Sequence, residues 1–284
     1  MIVSDLEIQE FIKLAIDEDI KDGDHSSLAC IPATETGKAK LLVKQKGILA
    51  GVELAEKIFN YFDPTSSLDI LMKDGEEMKV GDIAFYVSAN THAILKAERL
   101  VLNCMQRMSA VATRTNQVAS KIADLKTKVL DTRKTTPLLR FLEKWAVRIG
   151  GGVNHRFGLY DMIMLKDNHI DYAGGIKKAI TKTNQYLKDN NKTLKIEIET
   201  RNLEEVREVL SIGNVDRIML DNFSYADIKT AVALIDENYE TEASGGITID
   251  TVRQYAECGV DFVSMGALTH SVKNLDLSLK AVKV

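Results

Sequence analysis

The stretch LKIEIETRNLEEVREVLSIGNVDRIMLDN, Leu194 to Asn222, decides the fold. Two short apolar runs, Leu194–Ile198 and Arg217–Leu220, flank a segment with helical spacing, and strand–helix–strand implies a parallel pair joined by a right-handed crossover. The same alternation extends in both directions, with strand-like runs at Lys128–Asp131, Met162–Leu165, Glu242–Ser244 and Phe262–Met265. Each run ends in residues that carry chemistry: Thr132-Arg133-Lys134, Lys166-Asp167-Asn168-His169, Glu199, Asp221-Asn222, Ser244-Gly245-Gly246 and Gly266-Ala267. A parallel α/β barrel gathers the carboxyl ends of its strands on one face, whereas an open sheet offers one crevice at a switch point. Six such ends favour a barrel.

The preceding half reads differently. Ser4 and Glu7 form a capping box ahead of Ile8, Phe11, Ile12, Ala15 and Ile16 at helical spacing. Asp22 to Ser27 reads as a loop, and Lys38–Val52 and Leu68–Ser88 as glycine-broken antiparallel strands. Thr91 to Lys126 reads as one long helix, with Ala97, Leu100, Val101, Cys104, Met105 and Met108 on one face and Arg99, Asn103 and Arg107 on another. This region predicts a small α+β domain. With 284 residues, one large domain or two ordinary ones are allowed, at about 150 residues each.

Composition narrows the function classes. Hydrophobic residues make up 45% of the chain and only 3 are proline, which excludes disordered and low-complexity classes. No apolar run approaches the ~18 residues of a membrane span. The acidic, amphipathic start lacks the form of a secretory signal, so the expected location is the cytoplasm. Cys30, Cys104 and Cys258 are far apart and read as reduced core thiols. A net charge of −4 argues against general nucleic-acid binding. Its distribution is uneven: Arg133–Asp167 carries seven cations and three anions, and Glu197–Glu242 four cations and twelve anions.

The strand-end cations Arg133, Lys134, Arg156 and Lys166 need anions, either carboxylate or phosphate. Arg140, Lys144 and Arg148, on the helix after Pro137, read instead as a solvated face. Glu199 and Asp221 could hold a hard cation such as Mg²⁺, or could pair with the strand-end cations. Glu197 and Glu199 point to the same side of their strand, so either could reach the barrel interior. His155, beside Arg156, reads as a hydrogen-bond donor or packing element whose protonated form that neighbour disfavours. Ser244-Gly245-Gly246 and Met265-Gly266-Ala267 are candidate phosphate loops.

Six segments together resemble the quinolinate phosphoribosyltransferase family: Thr132–Pro137, the GGGVNHRFGLY run of Gly150–Tyr160, Lys166–His169, Leu220–Phe223, Glu242–Gly246 and Gly266–His270. They occur in order over nearly the whole chain, with Glu98-Arg99 and Leu102-Asn103 in the long helix. The resemblance implies an incomplete α/β barrel, 111–268, joined to an N-terminal open-faced sandwich domain, 1–110, to which the tail 269–284 returns. It implies transfer of a phosphoribosyl group from phosphoribosyl pyrophosphate to quinolinate with decarboxylation, giving nicotinate mononucleotide, pyrophosphate and carbon dioxide in NAD synthesis. Mg²⁺ is the implied cofactor.

By that resemblance, Arg133, Arg156 and Lys166 surround the two carboxylates of quinolinate, joined by Arg99 from the partner of a homodimer or assembly of dimers. His155 and the Thr132 backbone close this pocket. Lys134 leans toward phosphoribosyl pyrophosphate, Glu199 and Asp221 position Mg²⁺ and the ribose hydroxyls, and Ser244, Gly245, Gly246, Met265, Gly266 and Ala267 hold the 5′-phosphate. Catalysis falls to Lys134, Lys166, Glu199 and Asp221. Readings left open are a related phosphoribosyltransferase, a phosphosugar barrel isomerase and a non-enzymatic phosphate sensor.

Overall fold

A computed structural model describes residues 4–282. In chain order the elements are α1 (Asp5–Asp19), α2 (His25–Cys30), β1 (Thr36–Val43), β2 (Gly47–Ile48), α3 (Val52–Phe62), β3 (Ser67–Ile70), β4 (Glu77–Met78), β5 (Ile83–Asn90) and α4 (Thr91–Ala119). There follow β6 (Lys128–Leu130), α5 (Arg140–Ile149), β7 (Ile163–Leu165), α6 (Asp167–Ala173), α7 (Ile176–Asp189), β8 (Ile196–Thr200), α8 (Leu203–Ile212) and β9 (Arg217–Asp221). The last are α9 (Tyr225–Ile235), β10 (Glu240–Ser244), α10 (Val252–Ala256), β11 (Phe262–Ser264), α11 (Ala267–His270) and β12 (Leu277–Ala281). They form two compact units, 4–116 with 136–151 and 272–282, and 117–135 with 152–271.

The first unit is built on an antiparallel sheet of order β12-β1-β5-β3. Alternation places Ala39, Leu41 and Val43 of β1 and Leu277 and Leu279 of β12 on the buried face. The α3 helix buries Leu54, Ala55, Ile58 and Phe59, and Phe59 meets Phe85 of β5 edge to face at 6.2 Å. On the opposite face Lys38 lies over the Tyr86 ring at 4.7 Å. One covered face and one open face make an open-faced sandwich, and the returning tail supplies an edge strand. The Ser4–Glu7 capping box starts α1 as its sequence dictates.

Several expectations change here. Asp22–Ser27 is not all loop: Asp24 caps α2 by accepting from the Ser26 and Ser27 N–H groups, so the turn residues start a short helix. Cys30 ends that helix and is exposed, unlike buried Cys104 and Cys258. The expected boundary near 110 falls at 116, and α5 belongs with the first unit. A buried ion pair ties it there: Glu143 of α5 accepts from Arg107 of α4 at 2.9 and 2.7 Å. Lys144 is also buried, so the expected solvated face on α5 does not hold for it.

The second unit is a six-stranded parallel sheet of order β6-β11-β10-β9-β8-β7. Among the described residues β6 and β7 are not paired with each other, so the barrel is incomplete. Helices α7, α8 and α9 bury Ile176 and Ile180, Val206 and Val209, and Ile228 and Ile235. Asn202 and Ser224 cap α8 and α9, which stops β8 and β9 two or three residues earlier and leaves Glu199 and Asp221 near the strand ends. All six expected strands are present, with ends displaced by at most two residues.

Candidate active site

The carboxyl ends of β7, β8 and β9 bring together Lys166, Glu199 and Asp221. Parallel register sets Glu199 opposite Met219 and Thr200 opposite Leu220, one residue before Asp221. Lys166 directly precedes α6, and its Nζ lies 3.9 Å from Glu199 Oε2. Burial pushes the Glu199 carboxyl above its ordinary range, the charge of Asp221 adds to this, and Lys166 works against it. Two carboxylates held this way fit a divalent cation, which would relieve their mutual repulsion. Asn222, with a left-handed φ of 57°, donates from Nδ2 to Asp221 Oδ2 at 2.7 Å.

The glycine loops adjoin these residues. The Asn222 N–H donates to the Ser244 carbonyl at 2.9 Å, and Gly245 has a φ of +98°. A Cβ on Gly245 would stand 2.9 Å from the Asn222 backbone nitrogen, so only glycine lets the two strand ends approach. After β11, the Lys134 stem covers Gly266, where a Cβ would lie 2.8 Å from Lys134 Cδ. Thr269 Oγ1 also donates to the Lys134 carbonyl at 2.7 Å, and Thr132 Oγ1 accepts from the Lys134 N–H at 3.1 Å. The loop after β6 is thereby fixed beside the loop after β11. Met265 differs from its neighbours: it is buried, and its N–H donates to the Leu130 carbonyl.

Arg156 is half-buried and donates to the Met162 carbonyl at 3.2 Å. Burial lowers its affinity for its proton and the charge of Arg133 lowers it further, which places these two guanidinium groups within electrostatic reach of each other. A pair of like charges of this kind calls for an anion. Arg99 stands exposed on α4 in the first unit, with Nη2 4.0 Å from Glu98 Oε1.

One layer deeper lies a cluster the sequence did not assemble. His155 Nε2 is 2.7 Å from Glu197 Oε2 and 3.5 Å from Glu242 Oε2, and Arg217 Nη1 is 3.1 Å from Glu242. Glu197 and Glu242 are fully buried. Below them Arg217 also binds Glu240 at 2.9 Å and lies over the Phe262 ring at 4.2 Å. Arg217 is opposite Glu197 in one strand pair and Glu240 in the next, so strand register places it among the carboxylates, and His155 joins them from the segment between α5 and β7.

His155 departs from its expected state. Burial disfavours its charged form, but hydrogen bonds and charges from Glu197 and Glu242 outweigh this and raise its pKa to about 9. Arg156 does not repel the proton, because its guanidinium turns to Met162 while two carboxylates face the ring. The Arg156 backbone nitrogen lies 2.6 Å from Nδ1, a contact in which only the neutral ring, with its proton on Nε2, could accept. The cluster keeps an extra proton, and burial and Glu242 raise the Glu197 carboxyl to about 7.

His155, Glu197 and Glu242 also form a metal-ligand-like triad, but Arg217 and the retained proton already balance its charge. The pair at Glu199 and Asp221 has Lys166 as a counter-charge and Asp167 as a further anion, and is the better fit to a cation. Glu242, Arg217 and Asp131 were not singled out as site residues from the sequence. Asp131 is fully buried, accepting from Asn154 Nδ2 at 2.6 Å and the His155 N–H at 2.9 Å. Strand alternation put Glu197 on the side of Glu199, but nothing local joins it to residues 42 and 45 positions away.

Comparison with known proteins settles the family. The N-terminal domain of quinolinate phosphoribosyl transferase matches residues 24–109, and its C-terminal domain matches 111–280. The chain belongs to the quinolinate phosphoribosyltransferase family. An Arabidopsis thaliana chloroplastic nicotinate-nucleotide pyrophosphorylase [carboxylating] is 47% identical, over 96% of this chain and 82% of its own length. A Bacillus subtilis protein named probable nicotinate-nucleotide pyrophosphorylase [carboxylating] is 39% identical, over 96% and 93%. The crystal structure of NadC from Streptococcus pyogenes superposes with a TM-score of 0.92 at 37% identity, covering both chains completely. Within this quinolinate phosphoribosyltransferase family member, the strand ends that gather Lys134, Lys166, Glu199, Asp221 and the two glycine loops lie in the C-terminal domain match.

Proposed function

We propose that this protein transfers the phosphoribosyl group of phosphoribosyl pyrophosphate to quinolinate, releasing pyrophosphate and carbon dioxide and forming nicotinate mononucleotide for NAD synthesis. The observation that carries the reading is the division of charge at the strand ends. Arg133 and Arg156 stand within electrostatic reach of each other, and the acid pair Glu199 and Asp221 adjoins two glycine loops. Quinolinate is a dianion, and two arginine forks with Lys166 match its two carboxylates. Arg99 of the partner in a homodimer, or assembly of dimers, completes the pocket, with the Thr132 backbone and His155 at its edge.

Glu199 and Asp221 hold Mg²⁺ and the ribose hydroxyls, and the backbone of Gly245, Gly246, Gly266 and Ala267 with Ser244 holds the 5′-phosphate. Bound Mg²⁺ supplies charge stabilisation for the departing pyrophosphate. Lys134, fixed by Thr132 and Thr269, adds its charge at the same end. As the leaving group departs, the pyridine nitrogen bonds to the anomeric carbon. The resulting pyridinium accepts the electron pair freed when the carboxylate beside the nitrogen leaves as carbon dioxide, and that carbon then takes up a proton. The arginines hold this carboxylate out of the ring plane and away from water. The attack itself needs no general base.

Among the described residues no helix is long and apolar enough to cross a membrane. The proposed location is the cytoplasm. The decisive assay offers Mg²⁺ and phosphoribosyl pyrophosphate with either quinolinate or nicotinate, and measures mononucleotide and carbon dioxide. Quinolinate yields both in equal amounts; product from nicotinate alone rejects the reading.

A further inference from the structure

The first residue after β9 joins two strand ends. Asp221 and Ser244 stand opposite each other in the last register of β9 and β10, and the Asn222 N–H extends the ladder by donating to the Ser244 carbonyl at 2.9 Å. Asn222 turns there with a φ of 57°, and its Nδ2 comes back to donate to Asp221 Oδ2 at 2.7 Å. The rest of the same amide lies against Gly245, where a Cβ would meet Asn222 Oδ1 and, at 2.6 Å, Cγ. The side chain is thus held between the strand-end carboxylate and the first glycine of the next loop.

The residue type follows from these demands. Glycine, asparagine and aspartate take a left-handed φ at the least cost. Glycine has no side chain, and aspartate would set another carboxylate against Asp221. Asparagine alone of the three supplies a donor, and a neutral one. Neutrality matters beside a pair that is to receive a cation. A lysine here would satisfy Asp221 by cancelling its charge, whereas the amide fixes one oxygen and leaves the charge in place.

We propose that Asn222 is a positioning residue: it sets the Asp221 carboxylate in one orientation and braces it against Gly245, so that the cation-and-ribose end of the site and the phosphate loop keep a fixed spacing. This rests on the reading that Asp221 meets the Mg²⁺ and ribose of phosphoribosyl pyrophosphate and Gly245 its 5′-phosphate. One ligand then spans both ends. Its ribose and 5′-phosphate are covalently joined, so a carboxylate free to rotate would meet the ribose hydroxyls in the required geometry only part of the time. Hydrogen-bond partners that orient a ligating carboxylate are worth roughly ten- to a hundredfold in affinity.

Asn222→Gly removes the amide and keeps both the left-handed turn and the N–H to Ser244. In the full chain the KM for phosphoribosyl pyrophosphate is expected to rise roughly tenfold, with the KM for quinolinate near wild type. Calorimetric titration with nicotinate mononucleotide, which carries the ribose and the 5′-phosphate and needs no turnover, is expected to show a loss of the same order. Equal rises in both KM values, or an unchanged affinity for nicotinate mononucleotide, overturns the proposal. Asn222 is exposed, so direct contact with the ligand is the rival explanation, and a double-mutant cycle with Asp221→Ala separates the two. Acting through Asp221, Asn222→Gly adds nothing to Asp221→Ala; two losses that multiply in full overturn positioning.

Should Asn222→Gly loosen the fold, which its melting temperature reports, Asn222→Asp decides: it keeps the shape and the turn and removes the donor. A loss at least as large as that of Asn222→Gly is expected, and a nicotinate mononucleotide affinity near wild type overturns the proposal. Asp221→Ala also distinguishes this role from the reading beneath it. If it leaves the phosphoribosyl pyrophosphate KM and the nicotinate mononucleotide affinity unchanged, the reading of Asp221 fails and the role of Asn222 fails with it. If Asp221→Ala is impaired but Asn222→Gly is not, only the role of Asn222 is wrong.

Discussion

Two acidic pairs stand on the same three strands, and their surroundings divide their roles. Glu199 and Asp221, at the strand ends, face each other with Lys166 3.9 Å from Glu199. Glu197 and Glu242, two residues deeper, are fully buried with Arg217 and His155 against them. The deeper pair balances its charge within the fold, and a balanced cluster holds shape. The outer pair, with Glu199 buried and Asp221 half-buried, retains an unbalanced charge, which suits a cation and a sugar. The difference arises from depth along one strand, with the side-chain direction unchanged.

Substitutions that attack each layer test this division. The largest effect is expected for Arg217→Met, which strands two buried carboxylates and should lower stability by about 3–5 kcal/mol, read as the denaturation midpoint in urea. A midpoint near wild type would break the claim that the deep layer is held by charge balance. Lys134→Ala attacks the outer layer: turnover is expected to fall by ~10²–10³-fold with the midpoint unchanged, and Arg133→Ala should likewise abolish activity in a folded protein. Near-normal turnover in folded Arg133→Ala would overturn the functional assignment.

Gly245→Ala comes next, with an expected stability loss of about 1–3 kcal/mol from the positive φ and the approach to Asn222. Thermal melts and the KM for phosphoribosyl pyrophosphate both report it. The smallest effect belongs to Glu199→Gln. The Glu199 carboxyl is pushed up in the folded state, so the native protein binds its proton more tightly than the unfolded chain does. Stability from this group is therefore lost as pH rises through its native titration. Glu199→Gln should flatten that part of the pH–stability curve, while Mg²⁺ activation shifts to higher concentration by about tenfold. A curve of unchanged slope would mean that the outer pair is not electrostatically strained.

How far the sequence could be read depended on the range of each interaction. The six strands were legible because alternation and helix caps such as Asn202 and Ser224 act within a few residues. Helix α5 packs with the first unit through Glu143 meeting Arg107, 36 residues earlier, a contact that no local pattern shows. Lys144 was read as solvated for the same reason: its charge was visible and its burial was not. The state of His155 was inferred from its neighbour Arg156, yet the groups that set it lie on β8 and β10.

The sequence alone therefore determined the alternating elements, the identity of the residues at each strand end, and the family whose motifs they match. Local periodicity and residue chemistry suffice for these. Only the tertiary structure decided which carboxylates are balanced and which are exposed to a ligand. Parallel strand register sets Arg217 opposite Glu197 and Glu240, its side chain reaches on to Glu242, and burial then makes each charge depend on its neighbours across the sheet.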